Sequence, residues 1–210
     1  MFHIMQRLKN FYEEAYIKKN SKVKKRVITK DNDVLTVYKT KNHFWLLFKA
    51  SDDFLDWKSN LKFYRKNKKV HPGMYRSAKK FFPEIDKYIV KKQCCFGGYS
   101  RGADLALICA VRCATLHKYK DTFCFTMGQE MTYEANEAKA KASLRRLYYC
   151  RTYFKHDPIV HLPGKLFNCA HLPQVGDRIT HVELPSKWWH KIPLIWIKIL
   201  VHRSYFKKSK

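Results

Sequence analysis

The apolar positions after Pro72 (Tyr75, Ala78, Phe81, Phe82, Ile85, Tyr88 and Ile89) recur every three or four residues. That spacing predicts a long helix with one buried face. Ahead of it, Val34–Tyr38 and Phe44–Phe48 are short β-prone runs separated by the polar Lys39–His43, which predicts a hairpin-like pair of strands. Behind it, a β-prone run (Gln93, Cys94, Cys95, Phe96) precedes a smooth helical pattern of Ala103, Leu105, Ala106, Leu107 and Ala110. Thr122–Met127 is an apolar strand-like run ending at Gly128, and the alanine- and lysine-rich Asn136–Leu147 predicts a helix. Tyr148–Phe154 and Arg178–Leu184 read as two further strands. At the start, Ile4, Leu8, Phe11, Tyr12, Ala15 and Tyr16 predict an amphipathic lead-in helix, followed by a basic connector over Lys18–Arg26. Strands alternating with helices predict an α/β domain with a mostly parallel central sheet and flanking helices. There is no internal repeat and no low-complexity linker, so residues 1–210 read as one domain, with 1–26 as its N-terminal helix and connector.

Composition adds partners to that picture. With 210 residues, 46% of them hydrophobic, the chain is long enough to bury a sizeable core. Forty-three Lys and Arg against 17 Asp and Glu leave a formal charge of +26. Dense basic runs fall at Lys18–Arg26, Lys62–Lys69 and Lys207–Lys210, which serve as a solvated surface or attract polyanions. The polyanions are anionic lipid headgroups or, without sequence preference, nucleic acid. The seven cysteines form no CxxC pair and no zinc-like Cys/His spacing. Cys94, Cys95, Cys109, Cys113 and Cys124 fall at core positions, so reduced thiols are expected and no metal or organic cofactor is implied. The N-terminal sequence has no apolar signal-peptide core, and no run reaches the ~18 apolar residues of a membrane span. A cytoplasmic protein, peripheral at membranes if it meets them, is the expectation.

The candidate chemistry is concentrated in Gly98-Tyr99-Ser100-Arg101-Gly102, a GxSxG pentapeptide. Alone, such a pentapeptide also describes an ordinary glycine-rich turn. Here a strand-like run precedes it and a helix pattern follows, which is the setting of a nucleophile elbow. There the serine occupies a sharp strand-to-helix turn, and the helix start aims N–H groups at an oxyanion forming beside it. In the α/β-hydrolase fold the triad follows the order serine, acid, histidine. Ser100 is followed by Asp157 at a strand end, then by His171, His181, His190 and His202. Read only as a turn, Asp157-Pro158 is an ordinary turn-initiating pair.

Four ordered blocks make the resemblance specific. Phe48-Lys49-Ala50-Ser51 with Asp56-Trp57, Val70-His71-Pro72-Gly73-Met74, Gly98–Ala103, and His156-Asp157-Pro158-Ile159-Val160-His161-Leu162-Pro163 resemble successive motifs of the class 3, fungal-type lipases. Leu166-Phe167 up to His171 is similar to the loop that follows, and the likeness runs over residues 34–205. The resemblance implies an α/β-hydrolase fold with Ser100 as nucleophile and Asp157 as acid. It implies an oxyanion hole made by Ser51 and the backbone N–H of Arg101. The family places its histidine near the C-terminus with an aromatic residue shortly after, a pattern met by His202-Arg203-Ser204-Tyr205, with His190 as the alternative. His171 is expected to pack near the acid loop, His181 to be exposed or satisfied in the core, and His71 and His161 to serve packing or surface roles. Two departures stand out: Lys49-Ala50 replaces an Arg-Gly pair, and Arg101 replaces an apolar residue.

The implied reaction is hydrolysis of a carboxylic ester of a lipid, an acylglycerol or phospholipid. Lys58–Lys69 lies where the family has a lid, and Trp188–Phe206 combines aromatic, apolar and basic residues. That tail suits either an interfacial anchor on an anionic membrane or a helix packed on the sheet. A catalytically inactive hydrolase-fold module that binds anionic membrane or nucleic acid through its charge is the competing expectation. Oligomeric state, acyl-chain length and head-group preference leave no mark in the sequence.

Overall fold

The computed structural model describes residues 24–30, 33–39, 43–49, 69–90, 93–117, 120–154, 157–161 and 168–184. The expected lead-in helix, the lid region up to residue 68, Ser51 and the tail with His190 and His202 lie outside the described residues. In chain order the elements are β1 (Lys24–Lys30), β2 (Asp33–Lys39), β3 (His43–Phe48), α1 (Pro72–Ile89), β4 (Gln93–Tyr99), α2 (Arg101–Leu116) and β5 (Thr122–Met127). There follow β6 (Tyr133–Glu134), α3 (Ala135–Ala142), β7 (Leu147–Phe154), a 3₁₀ turn (Pro158–His161), β8 (Cys169–Ala170) and β9 (Ile179–Leu184).

Seven strands form one sheet in the order β1-β2-β3-β4-β5-β7-β9. The first three run antiparallel, and every pairing from β3 to β9 is parallel. β6 and β8 make a separate two-stranded ribbon beside them. β4 lies in the middle, and from Cys94 to Tyr99 every residue is buried. A strand covered on both faces needs an unbroken apolar run, and this one has it. α2 is buried from Gly102 to Val111 because it lies on β3, β4 and β5 with α1 on its other side. Phe48 of β3 and Phe81 of α1 meet edge to face at 5.4 Å, joining sheet and helix in one core with Phe96, Leu105 and Leu107. At the rim of that contact Arg112 of α2 forks onto Asp86 of α1 and covers the Phe82 ring at 4.5 Å.

Two expectations need correction. Lys24–Arg26, read as connector, belong to β1. Among the described residues β1 pairs only with β2, so it needs one buried face, with Ile28 inside and Val27 outside. The helix expected to run to Leu147 ends at Ala142. No glycine or proline marks that end; Arg178 does, donating to the carbonyls of Leu144 at 2.7 Å and of Ala142 and Leu147 at 3.3 Å. Leu147 is fully buried and opens β7 instead.

All seven cysteines are free, six of them buried. Burial pushes the Cys95 thiol up to about 12 and the half-buried Cys169 to about 11, so these sulfurs behave as small apolar groups. Among the described residues no helix is long and apolar enough to cross a membrane.

Phe81 tests the α1–sheet contact. Phe81→Ala is expected to lower unfolding free energy by about 3–5 kcal/mol, the range for emptying a buried aromatic site. Denaturant titration measures it, and a loss below about 1 kcal/mol would place Phe81 outside the core.

Candidate active site

Ser100 joins β4 to α2 with φ 53 and ψ −132, a left-handed conformation that a residue with a Cβ avoids. Such a conformation costs roughly 1–3 kcal/mol and persists only where the surroundings enforce it. They do so here through the backbone. The Ser100 N–H donates to the Met127 carbonyl of β5 at 3.0 Å, and the Ser100 carbonyl accepts from Ala103 at 2.8 Å. The flanking glycines let three elements close on one another. A Cβ on Gly98 would lie 2.0 Å from the Gly102 carbonyl oxygen, and one on Gly102 would lie 2.5 Å from that of Phe48 at the end of β3. Although Ser100 is the N-cap of α2, its side chain makes no capping bond to the helix. The pentapeptide is therefore a nucleophile elbow in geometry as well as in sequence.

Asp157 is fully buried three residues beyond β7, its N–H donating to Phe154 O at 3.0 Å. β5 alone separates β4 from β7, so Ser100 and Asp157 both follow the carboxyl ends of strands that lie two places apart in the sheet. The turn after Asp157 is held at the Val160 carbonyl, which accepts from Arg151 Nη2 at 3.3 Å and from His171 Nε2 at 2.6 Å. Burial first, and then the Arg151 charge, pull the His171 pKa well below the ordinary value, so its ring is neutral and Nε2 carries the proton. His171 thus braces the acid turn, as its position near that loop in the sequence led us to expect. His181 bonds the Leu172 carbonyl at 2.8 Å, and burial lowers its pKa as well. His71 caps α1, its Nδ1 accepting from the Met74 N–H at 3.2 Å, and His161 is exposed.

The family model for class 3 lipases matches residues 45–167, more than half of the chain. The chain belongs to the class 3 lipase family. Lipase II from Rhizopus niveus superposes with a TM-score of 0.62 at 18% identity, over 71% of this chain and 64% of that one. The Rhizomucor miehei lipase in its propeptide complex gives 0.60 at 22% identity, over 70% and 54%. A triacylglycerol lipase from Penicillium expansum gives 0.58 at 15% identity, over 88% and 77%. These likenesses show the α/β-hydrolase fold. The chain spans 64% and 54% of the first two lipases, so it covers less than two thirds of either. No curated protein matches it by sequence.

Against that family background, two charged residues of the elbow helix stand out. Arg101, in place of an apolar residue, turns its guanidinium inward onto Asp33 at the start of β2, with Nε–Oδ1 at 2.9 Å and Nη2–Oδ2 at 3.1 Å. Asp33 left no direct sign in the sequence; the one available signal was an arginine beside the elbow serine, which demands an acid wherever it is buried. Asp104, in the first turn of α2, is buried, with Oδ1 accepting from the Thr132 hydroxyl and Oδ2 without a hydrogen-bond partner. Thr132 in turn accepts from Gln129 Nε2 at 2.7 Å, and Gln129 Oε1 accepts from Thr126 at 2.9 Å and from Tyr149. The network ties α2 to the loop after β5, while Met127 at the end of β5 holds the Ser100 N–H. Burial pushes the Asp104 carboxyl up to about 7, against the bond from Thr132 and the Arg101 and Arg151 charges. Among the described residues no cluster of His, Cys, Asp and Glu is arranged to hold a metal.

Asp104 gives the stability a pH signature. The folded protein holds this proton up to about pH 7, whereas an unfolded aspartate loses it near the ordinary value of 3.8. Stability should therefore decline between those limits and flatten above them. Asp104→Asn, which keeps an acceptor for Thr132, should remove that decline and be more stable than wild type at pH 8. Urea midpoints at pH 5 and pH 8 measure the difference, and parallel shifts in both proteins would contradict it.

Proposed function

We propose that this class 3 lipase family member hydrolyses a carboxylic ester of a lipid, an acylglycerol or a phospholipid, through an acyl-enzyme on Ser100. The observation that carries the reading is the strained Ser100 elbow at the start of α2, beside a buried aspartate at the same sheet edge. An ordinary turn has no reason to sustain that backbone cost.

Ser100 Oγ attacks the acyl carbon while a histidine takes its proton. His202 is the proposed base, with His190 as the alternative, since His171 and His181 already bond main-chain carbonyls. Asp157 orients the imidazole and stabilises its charged form. The Arg101 N–H at the first position of α2, together with Ser51, receives the oxyanion. The alcohol leaves with the histidine proton, and water then attacks the acyl-enzyme with the same histidine as base. No cofactor enters this sequence of steps. The +26 charge favours reaching the ester on an anionic membrane surface. We place the protein in the cytoplasm, peripheral at such membranes.

The test is hydrolysis of p-nitrophenyl butyrate and palmitate with and without anionic vesicles. Ser100→Ala should lose roughly a thousandfold or more in kcat, as expected when a triad nucleophile is removed. Either His202→Ala or His190→Ala should fall comparably, and vesicles should raise wild-type turnover of the long-chain ester. Turnover that survives Ser100→Ala would reject the mechanism. Absence of turnover with intact binding to vesicles would instead favour an inactive lipid-binding module.

A further inference from the structure

Arg101 is asked by the proposed mechanism for its backbone N–H alone, yet its side chain is the most heavily engaged in the elbow. Besides the two-point fork onto Asp33, Nη2 donates to Ser77 Oγ of α1 at 2.6 Å and Nη1 contacts Met74 Sδ at 3.6 Å. Only 12% of the Arg101 side chain and 7% of the Asp33 side chain is exposed. The guanidinium is directed into the protein, which excludes it from reading the substrate.

The place of Asp33 gives the contact its meaning. It is the residue before Val34, whose carbonyl accepts the Lys49 N–H at 2.9 Å at the exit of β3. Arg101 opens α2, and its N–H is the oxyanion donor at that helix start in the proposed mechanism. The fork therefore ties the helix start to the β2–β3 pair, and Ser77 and Met74 tie both to α1. Gly102 closes the same junction from below, against the carbonyls of Phe48 and Lys49. A planar guanidinium gripping a carboxylate at two points fixes orientation as well as distance, which packing of an apolar side chain does not. Oxyanion stabilisation depends on that orientation, because a donor acts only if it is already aimed where charge develops.

Resting on the hydrolase reading, we propose that Arg101 is a positioning residue whose side chain, anchored on Asp33, fixes the start of α2 and so the aim of its oxyanion-hole N–H. A merely structural ion pair would raise stability and leave the rate of the folded enzyme alone. The two roles separate in a double variant. Arg101→Leu and Asp33→Leu each leave one buried charge unpaired and should lower the melting temperature, whereas the combined variant removes both charges and should regain most of it. Asp33→Asn supplies a milder break that keeps the shape of the site. Assayed on p-nitrophenyl butyrate well below each melting temperature, the double variant should remain on the order of tenfold to a hundredfold down in kcat, the scale of a small misplacement. KM should stay within about twofold, because the interaction is made in the transition state. Asp33→Asn should show the same split to a lesser degree. A double variant that recovers wild-type kcat along with its stability overturns the proposal, as does Asp33→Asn turning over at the wild-type rate. Wild type without Ser100-dependent turnover overturns the hydrolase reading itself, a result recognisable before any clamp variant is made.

Discussion

Everything at the functional edge of this protein depends on three backbones meeting without side chains between them. β4, α2 and the end of β3 touch at Gly98 and Gly102, where a single added carbon would fall 2.0 Å and 2.5 Å from carbonyl oxygens. Contact that close forces the chain to turn sharply at Ser100, and the residue at the turn takes a positive φ whatever its own preference. The strain is thus held by the core: α2 is buried along most of its length, and Phe48, Phe96 and Leu105 fix the strands beneath it. A serine placed this way has a helix start beside it and an oxygen that the helix does not claim.

Buried charge is handled at the same edge by pairing or by protonation. Arg101 and Asp33 neutralise each other. Asp104, buried with one oxygen unbonded, instead keeps its proton to about pH 7. The chain's formal charge of +26 bears on association with polyanions rather than on the fold.

How much of this could be read beforehand follows from where each signal resides. β4, β5 and β7 were legible because strands inside a parallel sheet must be apolar along their length. That Ser100 follows β4 and Asp157 follows β7 was legible because an apolar run ends just before each. β1 was not, since an edge strand needs only one buried face and its lysines read as a connector. The end of α3 was not, because Arg178, 36 residues beyond Ala142, supplies its cap. Asp33 was invisible for the same reason: 68 positions separate it from Arg101, and only the folded sheet brings them together. The sequence expectations for Ser51, His190 and His202 fall on residues outside those described.

The proposed hydrolysis requires Ser100 to be an activated nucleophile and not merely a residue in a tight turn. The most direct measurement is treatment of the native protein with a fluorophosphonate, followed by digestion and mass-spectrometric mapping of the adduct. One phosphonylated residue, Ser100, is expected, with labelling abolished when the protein is first unfolded in urea. Native protein that stays unlabelled, or labels at other serines as readily as at Ser100, would contradict it.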